Sequence, residues 1–205
     1  MSSEYTEEED KLISWFKDNY KNIIIGLIFG TSLVFGFKYY GDINTNKQYE
    51  MSLRYQEAIK DYQNDKYEKV LSLSEEYQLT EPSNIYTSMI NLYAAKIYHD
   101  KEMYKESLES LTFIVNNSNS KELHMIANTR YARILILQER YDEAEKFIIS
   151  IPGYNVNILL VELLGDISYS QSNINKAREY YKACLDLETT PNNRKIIENK
   201  LNSIQ

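Results

Sequence analysis

The sequence predicts an all-α protein in which one apolar N-terminal helix precedes a domain of repeated helical hairpins. Sixteen residues without a charge lie between Lys21 and Lys38 in an otherwise polar chain. Beyond residue 41 the only glycines are Gly153 and Gly165, and the three prolines are widely spaced. Because glycine and proline are the residues that most often interrupt helices, their scarcity favours a fully helical domain. A four-residue pattern that occurs four times along this domain indicates that the hairpins are repeats.

The apolar segment has the features of a transmembrane helix. Its sixteen residues rise about 24 Å in a helix, slightly less than the roughly 30 Å of a hydrocarbon layer. Lysine stems and aromatic rings at both ends close that gap, because they reach the headgroup region. We therefore predict a transmembrane helix over residues 21–40, preceded by a short acidic and amphipathic tail over residues 1–20. The flanking residues are Trp15, Tyr20, Lys21, Lys38, Tyr39 and Tyr40.

Two other interpretations of this segment are a helix in the core of a soluble domain and a cleavable signal sequence. The core helix stays open, because the uncharged run is shorter than the roughly 18 residues typical of a span. The signal sequence fits less well, because the first twenty residues are acidic and no small-x-small cleavage pattern follows the run. Basic residues are equally frequent on the two sides of the run, so charge leaves the orientation open.

Two glycines of the span, Gly26 and Gly30, form a GxxxG pattern. Small residues four apart let a second transmembrane helix approach closely, and close packing stabilises helix pairs in lipid. Glycine is also common in membrane helices of every kind, so ordinary composition is the competing explanation. The role predicted for the pair is transmembrane packing.

The charge of the domain limits its possible partners. Residues 39–205 carry 19 basic and 24 acidic side chains, which leaves a net charge of −5. Nucleic acid is therefore not an expected partner, because phosphate binding requires a basic face. Cys184 is the only cysteine and cannot form an intramolecular disulfide, so cysteine content is compatible with a reducing or an oxidising compartment.

The recurring pattern is YDEA at Tyr141–Ala144, with YKES 37 residues earlier, YEKV another 37 earlier and INKA 33 later. These spacings bracket the period of about 34 residues that defines tetratricopeptide repeats, whose two helices cross at small residues. A small residue lies twelve positions before the last residue of each pattern. The residues predicted to pack at the crossings are Ala58, Ala95, Ala132 and Gly165 in the first helices, and Ala144 and Ala177 in the second helices.

We predict a tetratricopeptide-like domain over residues 42–205, with units at about 51–82, 88–118, 125–153 and 158–190. Residues 191–205 follow a threonine and place Ile197, Leu201 and Ile204 on one stripe, which is typical of a helix that caps a solenoid. A linker of about five residues, Asp42–Asn46, is expected before the first repeat helix, so the domain should lie close to the membrane.

A binding surface is predicted on the concave side of the array, which the first helices of the hairpins line. Its side chains are aromatic at one end, basic in the middle and acidic at the other end. Such a surface suits an extended peptide or a partner's loop. The alternative is that Arg133 pairs with Glu162 or Asp166 in ordinary surface salt bridges. The predicted groove residues are Tyr55, Tyr62, Lys96, His99, Thr129, Arg133, Glu162, Asp166 and Tyr169.

The sequence contains no motif for catalysis or metal binding. Its two histidines, His99 and His124, have no second ligand at metal spacing, and no HExxH, GxSxG, phosphate-loop or dinucleotide-binding pattern occurs. Cys184 stands where the repeat needs a small buried residue, which favours packing over nucleophilic attack. We therefore expect a protein that is not an enzyme and that holds no metal and no cofactor.

The order of these features resembles the YfgM family of bacterial inner-membrane proteins. The resemblance rests on an acidic tail with LISWF, a GxxxG span ending in FGFKYY, a repeat array opening with MSLRYQEAI and a final KLNSIQ. It implies a single-pass inner-membrane protein with a cytoplasmic N-terminus and a periplasmic repeat domain. The partners it implies are the SecYEG translocon and a membrane-anchored periplasmic chaperone of the PpiD type, with unfolded secreted proteins as clients.

Two functional hypotheses are compatible with these features. One is a membrane-anchored scaffold that binds proteins beside the translocon and links it to chaperones or emerging chains. The other is a structural membrane protein that associates with itself through the GxxxG pair and through stacking of its repeats, without a translocon or chaperone role.

Overall fold

The computed structural model describes residues 7–187 and 190–204, and every regular secondary structure element in that part of the chain is helical. The predicted all-α class is therefore confirmed. Residues 1–6 of the predicted tail, 188–189 of the fourth predicted unit and 205 of the predicted cap lie outside the described residues. In chain order the helices are α1 (Glu7–Gln63), α2 (Tyr67–Thr80), α3 (Ile85–Asp100), α4 (Tyr104–Asn117), α5 (Lys121–Leu137), α6 (Tyr141–Ser150), α7 (Ile158–Ser170), α8 (Ile174–Asp186) and α9 (Pro191–Ser203), with a 3₁₀ turn (Tyr154–Val156) before α7.

The chain divides into two compact units between Arg54 and Tyr55. The first unit contains most of α1, which is the one helix among the described residues that is long and apolar enough to cross a membrane, judged by length and composition. The side chains that the structure describes between residues 9 and 50 are exposed or half-buried. The hydroxyl of Thr31 donates to the carbonyl of Leu27 at 2.8 Å, so its polar group is satisfied within the helix, as a lipid environment requires.

The linker expected over Asp42–Asn46 is absent, because α1 continues through this stretch to Gln63. No glycine or proline follows Gly41 within the helix, so nothing in the local sequence interrupts it. The hydroxyl of Thr45 donates to the carbonyl of Gly41 at 2.9 Å, across the expected break. The first repeat helix is therefore the C-terminal end of α1.

The second unit consists of four helical hairpins and a final helix. The end of α1 and α2 form the first hairpin, followed by α3–α4, α5–α6 and α7–α8, and each helix from α2 onward contacts the next. The second helices begin at the recurring pattern, at Tyr67, Tyr104, Tyr141 and Ile174. The spacing of the pattern in the sequence is therefore the spacing of the hairpins.

Each hairpin turns at a residue with a left-handed backbone, and none of the four is a glycine. These residues are Asp65, Glu102, Glu139 and Ser172, with φ between 57° and 62°. The amide of Glu102 donates to a carbonyl three residues earlier at 2.9 Å, and the following amide donates five residues back at 2.8 Å. The same pair of bonds occurs in the other three turns. This Schellman arrangement satisfies carbonyls at the helix end that would otherwise lack partners.

The small residues predicted at the helix crossings are buried, and two of them have a direct steric role. The hydroxyl of Ser107 donates to the carbonyl of Ala95 at 2.7 Å, which requires close approach of α3 and α4. At Gly165 a methyl group would lie 2.7 Å from Cδ1 of Tyr181, so this glycine makes room for the ring. The full set of buried crossing residues is Ala58, Ala95, Ala132, Ala144, Gly165 and Ala177.

The last helix, α9, covers the end of the array. The hydroxyl oxygen of Thr190 accepts a bond from the first turn at 3.3 Å, and Pro191 is the first helical residue, where its missing amide costs nothing. Ile197 and Ile204 are buried in one cluster with Cys184. The apolar end of the fourth hairpin is thereby shielded from solvent.

Candidate protein-binding site

The predicted groove residues all lie on the first helices of the hairpins, but two of them are buried. Tyr55 and Thr129 keep less than a tenth of their surface in solvent, so they contribute to packing and not to an accessible surface. The remaining seven are exposed or half-buried. Tyr62 lies on α1, Lys96 and His99 on α3, Arg133 on α5, and Glu162, Asp166 and Tyr169 on α7.

The aromatic end of the predicted groove is a cluster of tyrosines that pack on one another. The ring centroids of Tyr55 and Tyr86 lie 5.7 Å apart, and those of Tyr62 and Tyr93 lie 4.9 Å apart. Burial, together with the neighbouring Tyr93, raises the pKa of Tyr55 to about 12, so its hydroxyl keeps its proton. The helix register shows only that Tyr55 and Tyr62 share a face; their partners come from α3 and, for Tyr62, also from Tyr67 of α2.

The basic middle of the groove is a cavity of about 270 Å³ between α3, α4 and α5. We call it the basic cavity. The structure brings three predicted residues together here, and it adds a further basic side chain, Arg130, that the sequence analysis missed. Apolar side chains from α4 and α5 form its floor. The basic cavity is defined by Lys96, His99, Arg130 and Arg133 with Leu111 and Ile134.

The basic side chains of the basic cavity differ in whether a carboxylate lies next to them. Lys96 donates to Asp100 at 2.8 Å, and this bond raises the pKa of the Lys96 ammonium. His99 Nδ1 lies 3.3 Å from the same carboxylate. Among the described residues, Arg130 donates only to the backbone carbonyl of Leu92, at 3.2 Å. Partial burial lowers the pKa of Arg130, and the charge of Arg133 lowers it further. The two arginines therefore hold positive charge that the described residues do not neutralise.

The acidic end of the predicted groove is paired within the fold. Lys200 of α9 donates to Glu162 at 2.6 Å and to both carboxylate oxygens of Asp166 at 2.7 Å. The hydroxyl of Tyr181 also donates to Asp166 at 2.7 Å. Arg133 makes no ion pair with either carboxylate among the described residues, so the alternative salt bridges are not observed. The cap helix thus uses this end of the groove for its own docking.

The glycines of the span have no packing neighbour in the part of the chain that the structure describes. A side chain added at Gly26 or Gly30 would meet no atom within 4 Å. Their predicted role in transmembrane packing therefore requires a helix from another chain.

No group of three or more histidine, cysteine or acidic side chains that could hold a metal ion occurs in residues 7–187 and 190–204. Cys184 is fully buried, and burial raises the pKa of its thiol to about 12. At neutral pH the thiol is protonated and is therefore a poor nucleophile. This agrees with the packing role that the repeat pattern assigns to it.

Three relatives align with most of this chain. The ancillary SecYEG translocon subunit of Escherichia coli (strain K12) is 23% identical over 203 residues, which cover 98% of both chains. A protein of the same name from Buchnera aphidicola subsp. Schizaphis graminum is 29% identical over 153 residues, covering 75% of this chain and 78% of its own. A third, from Aggregatibacter actinomycetemcomitans, is 24% identical over 182 residues, covering 87% of this chain and 89% of its own.

No solved structure matches the chain. The relatives confirm the resemblance to the YfgM family that the sequence predicted. The profile of the family described as tetratricopeptide repeat-like domain matches residues 13–205, which is most of the chain. The protein therefore belongs to the tetratricopeptide repeat-like domain family.

Proposed function

We propose that this protein is a membrane-anchored helical-repeat scaffold of a bacterial inner membrane and that it associates with the SecYEG translocon. The observation that carries the proposal is the alignment with the translocon subunit of Escherichia coli, which extends over 98% of both chains. An alignment of that extent includes the apolar helix as well as the hairpins. The alignment therefore runs through both units of this chain.

In this proposal the two units have separate tasks. The apolar part of α1 holds the protein in the membrane, with its N-terminus in the cytoplasm and the hairpins in the periplasm. The hairpins present the basic cavity to other proteins, and their partners are a membrane-anchored chaperone of the PpiD type and unfolded secreted chains. No chemical step is required, because a repeat array acts by positioning its partners.

Recovery of SecY with the full-length protein tests the central claim. Bacterial inner membranes are extracted with a gentle detergent, and the tagged chain is isolated. We expect SecY to be enriched, and we expect replacement of residues 1–41 by an unrelated single span to reduce that enrichment. If SecY is recovered no better than with an unrelated anchored protein, the proposal is wrong. A stable self-associated oligomer without SecY would instead support the structural alternative.

The contribution of the glycines is tested with a matched pair of variants. Gly26→Ile with Gly30→Ile blocks close helix approach, and it leaves insertion intact because isoleucine is more apolar than glycine. Leu27→Ile with Thr31→Ile places the same side chains at the same spacing on the neighbouring row of the helix. We expect only the first variant to lose SecY. Equal recovery with both variants would mean that the span is a passive anchor.

Orientation is tested by labelling single cysteines in a Cys184→Ser background. Asn119 is exposed in the repeat domain, and Asp10 is exposed near the start of α1. With a membrane-impermeant maleimide on intact spheroplasts, Asn119→Cys should react, and Asp10→Cys should react only after permeabilisation. The reverse pattern would place the hairpins in the cytoplasm.

A further inference from the structure

The basic cavity carries a local charge opposite to that of the domain around it. Residues 39–205 have a net charge of −5, yet none of the described aspartates and glutamates lines this cavity. Its cationic side chains come from α3 and α5, the first helices of neighbouring hairpins. A second cavity, which includes residues of α2 and α4, is lined by Glu75, Glu106 and Glu109. The positive charge is therefore a property of this site and not of the whole domain.

Two of the cationic side chains are available to a ligand. Asp100 already binds Lys96 and lies next to His99, whereas the guanidinium groups of Arg130 and Arg133 meet no carboxylate among the described residues. Both arginines are exposed, so a partner can reach them. Arginine forms paired, charge-assisted bonds with carboxylates, and two adjacent arginines lose their mutual repulsion when anions bind.

The floor of the basic cavity is apolar. Leu111 is fully buried and Ile134 nearly so, and both line the cavity together with Ala95. The volume of about 270 Å³ lies below the range of about 300–1,000 Å³ that is typical of small-molecule and cofactor sites. It suits one or two aliphatic side chains of a peptide. Inorganic phosphate or a lipid headgroup offers no apolar group to contact this floor.

We propose that the basic cavity binds an acidic peptide segment of a partner protein, in which an aliphatic side chain enters the cavity between two carboxylates. The carboxylates bind Arg130 and Arg133 at its rim, and the aliphatic side chain packs in the cavity above Leu111 and Ile134. This proposal rests on the protein-binding role proposed above and specifies the chemistry of the segment that is bound.

Fluorescence anisotropy with a labelled peptide containing Glu-Leu-Asp-Leu-Glu tests the proposal. The full-length chain is held in nanodiscs of phosphatidylcholine, which has no net charge. We expect binding that weakens by at least about tenfold when the acids are replaced in Gln-Leu-Asn-Leu-Gln. We also expect a loss of about tenfold for Glu-Gly-Asp-Gly-Glu, because the apolar contact is removed.

Variants of the protein locate the binding. Arg130→Gln with Arg133→Gln should weaken binding of the acidic peptide by at least about tenfold. Lys146→Gln with Lys182→Gln removes two exposed charges from α6 and α8 and should leave affinity within about twofold. Arg133→Gln alone, which disturbs no bond within the described fold, should cost at least about threefold. Circular dichroism of each variant checks that the helices are intact.

Several results would overturn the proposal. These are equal affinity for the acidic and amide peptides, or equal affinity of the arginine and lysine double variants. Displacement of the peptide by phosphatidylglycerol vesicles, with the same dependence on the arginines, would identify the ligand as anionic lipid. If the wild-type chain does not bind the acidic peptide but still recovers SecY, the proposed site alone is refuted. Peptide binding without SecY recovery would refute the translocon role alone.

Discussion

The contact between Gly165 and Tyr181 predicts an unusual outcome for a glycine-to-alanine substitution in a helix. Alanine normally stabilises a helix relative to glycine by about 1 kcal/mol. Here its methyl group would approach Cδ1 of Tyr181 to 2.7 Å. The ring is 2% exposed, and its hydroxyl is bonded to Asp166 at 2.7 Å, so it cannot move away freely. Overpacking of this kind costs about 1–3 kcal/mol, so Gly165→Ala should lower the free energy of unfolding by about 1 kcal/mol.

The same substitution should have the opposite effect on the free energy of unfolding once the tyrosine ring is removed. The residue that corresponds to Tyr181 is Leu111 in the second hairpin and Ile148 in the third, and both lie opposite an alanine. In a Tyr181→Leu background, Gly165→Ala should therefore raise the free energy of unfolding by about 1 kcal/mol. The two substitutions together should show a coupling energy of about 2 kcal/mol.

Urea unfolding, monitored by far-ultraviolet circular dichroism, measures this coupling. The four proteins compared are wild type, Gly165→Ala, Tyr181→Leu and the double variant. Glu106→Gln, at a half-buried position of α4 away from this crossing, serves as the control and should change stability by about 0.5 kcal/mol or less. If Gly165→Ala stabilises the protein equally in both backgrounds, the ring does not limit the space at this crossing, and the steric explanation is wrong.

Three further predictions address the cysteine, the cap and the turns. At pH 8 the raised pKa leaves Cys184 with roughly a thousandfold less thiolate than a free cysteine, so maleimide should label Cys184 only after urea unfolding. Rapid labelling of the folded protein would contradict the burial of this thiol. Lys200→Met should lower the free energy of unfolding in urea by about 1–2 kcal/mol, because it leaves Glu162 without its cation. Burial opposes the charge of Lys200, but its carboxylate partners raise its pKa overall, so the difference from wild type should be full below about pH 10 and shrink above it. No difference at neutral pH would mean that the ion pair does not hold the cap. Glu102→Gly relieves a left-handed backbone and should raise the free energy of unfolding by about 0.5 kcal/mol, whereas Glu109→Gly inside α4 should lower it by about 1 kcal/mol; a loss at both positions would contradict the turn geometry.

Some features of the fold could be predicted because their causes are local. The pattern that begins at Tyr67, Tyr104, Tyr141 and Ile174 marks the start of each second helix, and its spacing is visible in one sequence. The turns were harder to recognise. Glu102 adopts a left-handed backbone without being a glycine, because the bonds at the end of α3 hold it there. The break expected over Asp42–Asn46 did not occur, since the single glycine before it costs a helix only about 1 kcal/mol and no proline follows.

The candidate site was predicted in part. Counting along α3 and α5 from the crossing alanines placed Lys96, His99 and Arg133 on one face, and all three line the basic cavity. Arg130 lies one turn before Arg133 and was not predicted, because only one row of side chains along each helix was taken to face the groove. Thr129 lies on the predicted surface row but is buried, because helix register does not show which positions the neighbouring hairpin covers.

The sequence by itself determined the helical class, the number of hairpins, the apolar helix and the family, because each depends on residue types at fixed spacings along one chain. Only the tertiary structure decided which charges remain available. Lys200 lies 34 residues from Asp166 and neutralises the acidic end of the groove, whereas Arg130 and Arg133 keep their charge. Pairing of charges depends on which side chains approach within about 4 Å, and helix packing brings together residues that no local spacing connects.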